Sequence, residues 1–263
     1  MTAAGLPPPT GAENIGREFD VPVAGGQINV WRFVPAAAGR WPAVLLLMDA
    51  PGIRPALHQM ASRIASAGYL VWLPNLYHRI GREVSVGPTR NHPDEAANRE
   101  LMMGYIRTLT NRSVVDDVKR LVQQLALDAA WNGKPIGLTG YCMSGRFAVL
   151  SALEAPGQVA CAASYFGTRL VTDEPESPHL RLGQTSAELY FGFADHDPYV
   201  PREAVQTLRQ SLAAGRVRHQ VEIYPGTEHG FVFPDRGSFH QAAAERHWET
   251  LFALLQRHLK PSA

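Results

Sequence analysis

The sequence predicts an α/β fold, a mostly parallel and doubly wound sheet with helices on both faces. Three observations lead there. Apolar runs of strand length recur at residues 43–48, 69–74 and 135–139, and runs so short and so uniformly apolar suit strands buried on both faces. Between them lie longer stretches whose apolar residues recur at helical spacing. After an opening hairpin the two patterns alternate to the end of the chain. The 263 residues, 45% of them hydrophobic, can fill one sizeable core. Neither an internal repeat nor a linker divides them. Residues 15–263 therefore read as one domain behind a loose, Pro-rich arm at 1–14.

Residues 17–23 and 27–34 alternate apolar and polar side chains around Gly25-Gly26, which predicts an antiparallel hairpin at a sheet edge. The run at 43–48 ends at Asp49-Ala50-Pro51-Gly52. Leu57, Met60, Ala61, Ile64 and Ala65 then make the stripe of a helix that Gly68 stops. The strand at 69–74 leads into Asn75-Leu76-Tyr77-His78-Arg79. Residues 81–111 are irregular, with a possible helix over 96–108. An excursion of that length after a strand is either a lid or substrate wall, or a solvated insertion. Ser113-Val114-Val115-Asp116 resembles a capping box, and the helix it opens runs toward Trp131. Strands follow at 135–139, 160–165, 188–194 and 219–224, with helices after 142 and over 202–214. A C-terminal helix carries Ala244, Trp248, Leu251, Leu255 and Leu259 on one face. Ligands bind such sheets at the carboxyl ends of the strands. Asp49, residues 77–79, Cys142 and residues 195–197 all fall there, with His229 in a loop at the same end.

The net charge of +1 and the lack of any basic run argue against nucleic acid or a membrane as the main partner. Cys142 and Cys161 make neither a disulfide framework nor a metal site, and His58, His78, His92, His179 and His219 show no metal-ligand spacing. The N-terminus lacks the pattern of a signal peptide, and no apolar stretch nears the roughly 20 residues of a membrane span. The expectation is a cytoplasmic protein without metal or cofactor, a monomer or a small homo-oligomer.

The chemistry concentrates at Gly140-Tyr141-Cys142-Met143-Ser144-Gly145. A nucleophile between small residues at a strand-to-helix turn is lifted out of the sheet and set at a helix N-terminus. The unpaired N–H groups there favour a thiolate; a buried structural cysteine is the alternative. Downstream come an acid and then a histidine, the α/β-hydrolase order. In that reading Cys142 attacks a carbonyl carbon, His229 moves the proton and Asp197 orients the imidazole. Asp195 is the alternative acid. Oxyanion donors would be the backbone N–H groups of Met143 and Ala50. Ser144 is out of register for a nucleophile. Arg146 lies in the first turn of the helix, near the site, where a salt-bridge role competes with an electrostatic one.

Three segments together, the Cys142 turn, Asp197-Pro198-Tyr199-Val200-Pro201 and His229-Gly230-Phe231, resemble the dienelactone hydrolase family from about Val44 to the C-terminus. Val200-Pro201 matches the register that makes Asp197 the acid, and Ser144 stands where a glycine is usual. The resemblance implies an eight-stranded α/β-hydrolase fold. It also implies hydrolysis of a small-molecule lactone or carboxylic ester through an acyl-thioester, as in a carboxymethylenebutenolidase. By position Asp49 matches a family carboxylate that modulates the nucleophile, although aspartate is one methylene shorter than the usual glutamate and a loop-capping role competes. Arg79 matches an arginine that binds the substrate carboxylate, with Tyr77 beside it; an internal salt bridge is the alternative. Family members acting on chlorinated dienelactones carry a second arginine just after the histidine loop. Residues 229–233 hold none, which implies a more apolar wall. A non-catalytic scaffold that binds a small molecule or a protein is the reading from another class.

Overall fold

The structure is a computed structural model that describes residues 16–87 and 92–259, so the arm expected at 1–14 lies outside the described residues. The opening hairpin is β1 (Arg17–Val23) and β2 (Gly26–Phe33), turning at Gly25 with φ +83°. Then come β3 (Ala43–Leu47), β4 (Leu70–Pro74), β5 (Ile136–Tyr141), β6 (Val159–Tyr165), β7 (Glu188–His196) and β8 (His219–Glu228). They form one eight-stranded sheet in the order β1-β2-β4-β3-β5-β6-β7-β8. β2 is antiparallel to β1 and to β4, and the remaining pairs are parallel. The central strands β3, β4 and β5 are buried at every residue, as their continuous apolar runs require.

The helices are α1 (Pro55–Ser66), α2 (Glu95–Arg107), α3 (Asn111–Leu125), α4 (Met143–Glu154), α5 (Arg202–Ala214) and α6 (Gln241–His258). Side chains of a strand alternate between faces, so β5 shows where two helices lie. A Cβ on Gly137 would meet Leu255 and Leu259 around α6, and the Tyr141 hydroxyl reaches His247 of α6. Gly140, on the other face, abuts Ser144 of α4. The sheet is thus covered on both sides. α4 is buried from Met143 to Leu153 all round, as a helix wedged between a sheet and other helices must be.

Two boundaries differ from expectation. α3 is capped by Thr110, whose side chain accepts from the Ser113 N–H while Ser113 Oγ accepts from the Thr110 N–H. The capping box thus starts one turn earlier than Ser113, and Asp116 pairs instead with Arg112 on the surface. α3 also ends at Leu125, short of Trp131. Asp128 breaks the pattern by gathering Arg32, Trp72 and the Ala130 N–H. Further on, β7 and β8 outlast their apolar cores and still pair at His196↔Glu228, past an irregularity after Ala194. That extra length matters for the site. The expected helix at 96–108 is α2; its Tyr105 ring packs 5.5 Å from Tyr77, and Met102 and Ile106 also pack on the core.

Two glycine-to-alanine changes should separate crowding from intrinsic helix preference. A Cβ on Gly140 would sit 2.3 Å from the Ser144 carbonyl oxygen, so Gly140→Ala should destabilise by several kcal/mol, about 3 or more. Gly104, inside α2, has open space around the same position, so Gly104→Ala should stabilise by roughly 0.5–1 kcal/mol. Urea unfolding of both variants measures the contrast.

Candidate active site

The turn after β5 is built by close approach. Gly140 lies against the Ser144 carbonyl, and a Cβ on Gly145 would meet Ser164 Oγ at 2.4 Å and the Gly167 Cα at 2.6 Å. With strand and helix this close, Cys142 takes φ 55° and ψ −120°, a left-handed backbone that costs a non-glycine residue about 1–3 kcal/mol. Hydrogen bonds hold the geometry. The Cys142 N–H donates to the Tyr165 carbonyl (3.1 Å), and its own carbonyl accepts from the N–H groups of Gly145 (3.2 Å) and Thr168 (3.1 Å). Ser144 tightens the turn further: its Oγ accepts from the Tyr141 N–H at 2.9 Å and lies 3.1 Å from the carbonyl oxygens of Leu47 and Tyr141. The Met143 N–H, at the first residue of α4, has no acceptor within the helix.

The β7–β8 register brings the acid and the histidine together. His196 pairs with Glu228, and the next residue of each strand is Asp197 and His229. His229 Nδ1 donates to Asp197 Oδ2 at 2.8 Å, and Asp197 Oδ1 accepts from the Tyr199 N–H at 2.9 Å. Asp195 turns elsewhere, to Arg202 and the Gly226 N–H. The rings of Phe166 and Tyr199 pack edge-on to the imidazole, each with centroids 4.9 Å away. His229 Nε2 is buried without a hydrogen-bond partner. Burial disfavours charge on the ring. The negative charges available at Cys142 and Asp197 outweigh it and hold the imidazole up at about 10. The sulfur is therefore near enough to the ring to act on it electrostatically, even though Nε2 makes no formed hydrogen bond.

Ala50 follows β3, and its carbonyl accepts from the Tyr77 hydroxyl at 2.8 Å. The same hydroxyl lies 3.4 Å from the Met143 sulfur. Tyr77 is fully buried, so it ties these two backbone segments together instead of facing a substrate. Asp49, also buried, faces two arginines. Arg54 donates to both its oxygens (2.5 and 3.2 Å), and Arg236 donates to Oδ2 (3.1 Å). Neither arginine was singled out by the sequence reading. Arg236 lies seven residues beyond His229, so the histidine loop does bring a cation, later than expected. Phe231 and Phe233 in that loop are buried, and Arg54 lies over the Phe233 ring.

Arg79 goes to the salt bridge. Both its Nη atoms donate to Asp117 of α3 (2.6 and 2.9 Å), and His78 Nε2 lies 3.1 Å from the same carboxylate. Although Asp117 is buried, these partners pull its carboxyl below the usual range. The arginine is committed to α3, which corrects the clamp expected from its position after β4. Among the described residues no group of three or more His, Cys, Asp or Glu side chains is placed to hold a metal ion. No helix among them is long and apolar enough to cross a membrane.

Comparison with known proteins agrees with this architecture. The model of the dienelactone hydrolase family matches residues 28–259. A Synechocystis sp. protein provisionally named carboxymethylenebutenolidase is 25% identical, over 89% of this chain and 93% of its own. The carboxymethylenebutenolidase of Rhodococcus opacus is 24% identical, over 84% and 83%. In fold, the chain is similar to a Klebsiella pneumoniae crystal structure provisionally named a dienelactone hydrolase. The TM-score is 0.79 at 23% identity, over 93% of this chain and 99% of that one.

Two measurements test these assignments. Arg79→Ala leaves buried Asp117 short of its main partner and should cost about 1–3 kcal/mol in urea unfolding. It should shift KM for anionic and neutral esters together, and a rise confined to anionic esters would restore the clamp. The second concerns His229. Its folded value is raised above 6.5 to about 10, so the stability gained from ring charge is complete below pH 6.5 and lost as pH rises through 10. The stability gap between the wild type and Asp197→Asn should therefore shrink across that window.

Proposed function

This chain belongs to the dienelactone hydrolase family, and on that premise we propose that it hydrolyses a carboxylic ester or lactone with Cys142 as nucleophile, His229 as proton carrier and Asp197 as the group that orients the ring. The Asp197–His229 hydrogen bond carries the reading. It fixes the proton on Nδ1 in the neutral ring and leaves Nε2, buried without a hydrogen-bond partner, as the nitrogen available to the thiol. In the reactive state Nε2 has taken the proton from the sulfur.

From that state the sulfur attacks the carbonyl carbon, and the carbonyl π electrons move to oxygen. The N–H groups of Met143 and Ala50 receive the oxyanion, a contribution of about 3–4 kcal/mol for each such donor. The tetrahedral centre collapses, the alkoxide leaves with the proton from Nε2, and an acyl-thioester remains. A water then gives its proton to Nε2 as its oxygen attacks the thioester carbon. The second oxyanion collapses, the carboxylic acid departs, and the sulfur is free again. The carboxylate of Asp49, held by Arg54 and Arg236, sets the field at the loop that carries Ala50. Asp49 thus acts on the site through the loop and not by taking the thiol proton. The substrate is a small molecule, and the enzyme works as a monomer or small homo-oligomer in the cytoplasm, where a free thiol stays reduced.

The test is a trapped intermediate. A slowly turned-over aryl ester should add its acyl mass to the wild type and to no other residue than Cys142 by peptide mass spectrometry. Cys142→Ala should lose at least about 10³-fold in kcat, and Cys142→Ser nearly as much, because a hydroxyl needs stronger base assistance. Full activity in either variant, or an acyl group on another side chain, would exclude the thioester route.

A further inference from the structure

Tyr199 is an aromatic ring open to solvent that rests on the imidazole of His229. It is 57% exposed, and the two rings meet edge-on with centroids 4.9 Å apart. A single exposed apolar side chain is ordinary on a protein surface. This one is set apart by how firmly it is held and by what it touches. Asp197-Pro198-Tyr199-Val200 forms a turn closed by the Val200 N–H on the Asp197 carbonyl at 3.4 Å. Pro198 fixes the backbone at the second position of that turn, and Pro201 restricts Val200 after it. The Tyr199 N–H donates to Asp197 Oδ1 at 2.9 Å. Because that bond comes from the backbone, the side chain has no part in holding the acid.

The imidazole has a closed flank and an open one. On one flank lies Phe166, with its centroid 4.9 Å from the ring of His229. Phe166 is fully buried and is backed by Phe231 and Phe233 at 5.5 and 6.1 Å. Nδ1 is taken by Asp197. The His229 side chain keeps 14% of its surface exposed, and of the two rings that flank it only Tyr199 faces solvent. In ester hydrolysis the imidazole gives its proton to the departing oxygen. The alcohol part of the substrate therefore starts its exit beside this ring. The inward route is filled by the phenylalanines, and the outward route crosses Tyr199.

We propose that Tyr199 is the surface on which the alcohol part of the substrate stacks, and that the substrates are esters of aromatic alcohols. The inference rests on the hydrolase reading and adds to it the class of leaving group. Aromatic rings attract one another beyond the apolar area they bury. A ring already fixed by a turn loses little freedom on contact. A lactone keeps its leaving oxygen tied to the acyl part, so it has no separate group to lay there. The same surface receives an aromatic alcohol from solution. Such an alcohol gives its proton to Nε2 as its oxygen bonds to the thioester carbon, and collapse expels the sulfur as thiolate. The product is a new ester, so acyl transfer to aromatic alcohols competes with hydrolysis.

The experiment compares benzyl acetate with cyclohexylmethyl acetate, which is close to it in size and releases an alcohol of similar basicity. Both esters give the same acetyl-thioester. Tyr199→Leu keeps apolar bulk and removes the ring, at a site exposed enough for the fold to accept the change. It should lower the ratio of kcat/KM for the benzyl ester to that for the cyclohexylmethyl ester by about 2- to 10-fold. Tyr199→Phe should keep most of that ratio. With methyl acetate as donor and benzyl alcohol added, the yield of benzyl acetate relative to acetic acid should fall in Tyr199→Leu by a similar factor. A ring that only shields the imidazole from water would slow both esters alike, and unchanged ratios in Tyr199→Leu would overturn the proposal. A separate readout uses benzyl alcohol against alkylation of Cys142 by iodoacetamide. It should slow labelling of the wild type more than of Tyr199→Leu. Such protection without turnover of any ester would reject the hydrolase reading and leave the aromatic surface standing. Neither turnover nor protection would reject both.

Discussion

Everything at this site depends on how closely the β5 backbone passes the start of α4. Gly140 and Gly145 have no room for a methyl group. That crowding forces Cys142 into a left-handed conformation which its neighbours must hold in place. The restraint comes from backbone hydrogen bonds to Tyr165 and Thr168 and from Ser144. A serine in place of the usual glycine is therefore more than tolerated. Its hydroxyl supplies a bond that a glycine would lack. The strain is a local cost spread over a fully buried strand and a fully buried helix.

Charge around the turn is arranged in long-range pairs. Asp49 is held by Arg54 and by Arg236, which is 187 residues away in the chain, and Asp117 is held by Arg79. A guanidinium group meets each of these buried carboxylates with two parallel hydrogen bonds. Both oxygens of Asp49 are thus taken up by arginine donors.

How far the sequence foretold this follows from how local each feature is. The alternation of strands and helices, the hairpin and α2 were legible, because period and turn residues act over a few positions. So was the strand-to-helix turn at Cys142, since the crowding is written in Gly140 and Gly145. The α3 cap was read one turn late, because Thr110 and Ser113 are both competent caps and only the fold chooses between them. Asp197 could be preferred to Asp195 through a motif, but its physical reason lies in the β7–β8 register, where pairing continues to His196 and Glu228. For Arg79 the sequence left a substrate clamp and a salt bridge open, because the partner that decides it, Asp117, sits on α3, 38 residues away. Arg54 and Arg236 gave no signal, since nothing local marks an arginine that answers a distant aspartate.

The register of the sheet and the tyrosine network bring together the two loops whose N–H groups are the proposed oxyanion donors. The Ala50 loop leaves β3, and Met143 leaves β5, the neighbouring strand. Adjacent parallel strands end side by side, so their loops start close together, but loops alone would drift. The Tyr77 hydroxyl, from the end of β4, donates to the Ala50 carbonyl and rests on the Met143 sulfur. Anchoring the carbonyl fixes the plane of the Ala50–Pro51 peptide, which carries no N–H, and so restrains the backbone next to the Asp49–Ala50 peptide where the Ala50 N–H sits. Burial raises the Tyr77 hydroxyl far above its ordinary range, so it remains a donor at any pH the fold survives. A donor that cannot ionise holds the loop in one orientation before substrate arrives. That is the condition under which backbone dipoles lower a barrier instead of reorganising with it.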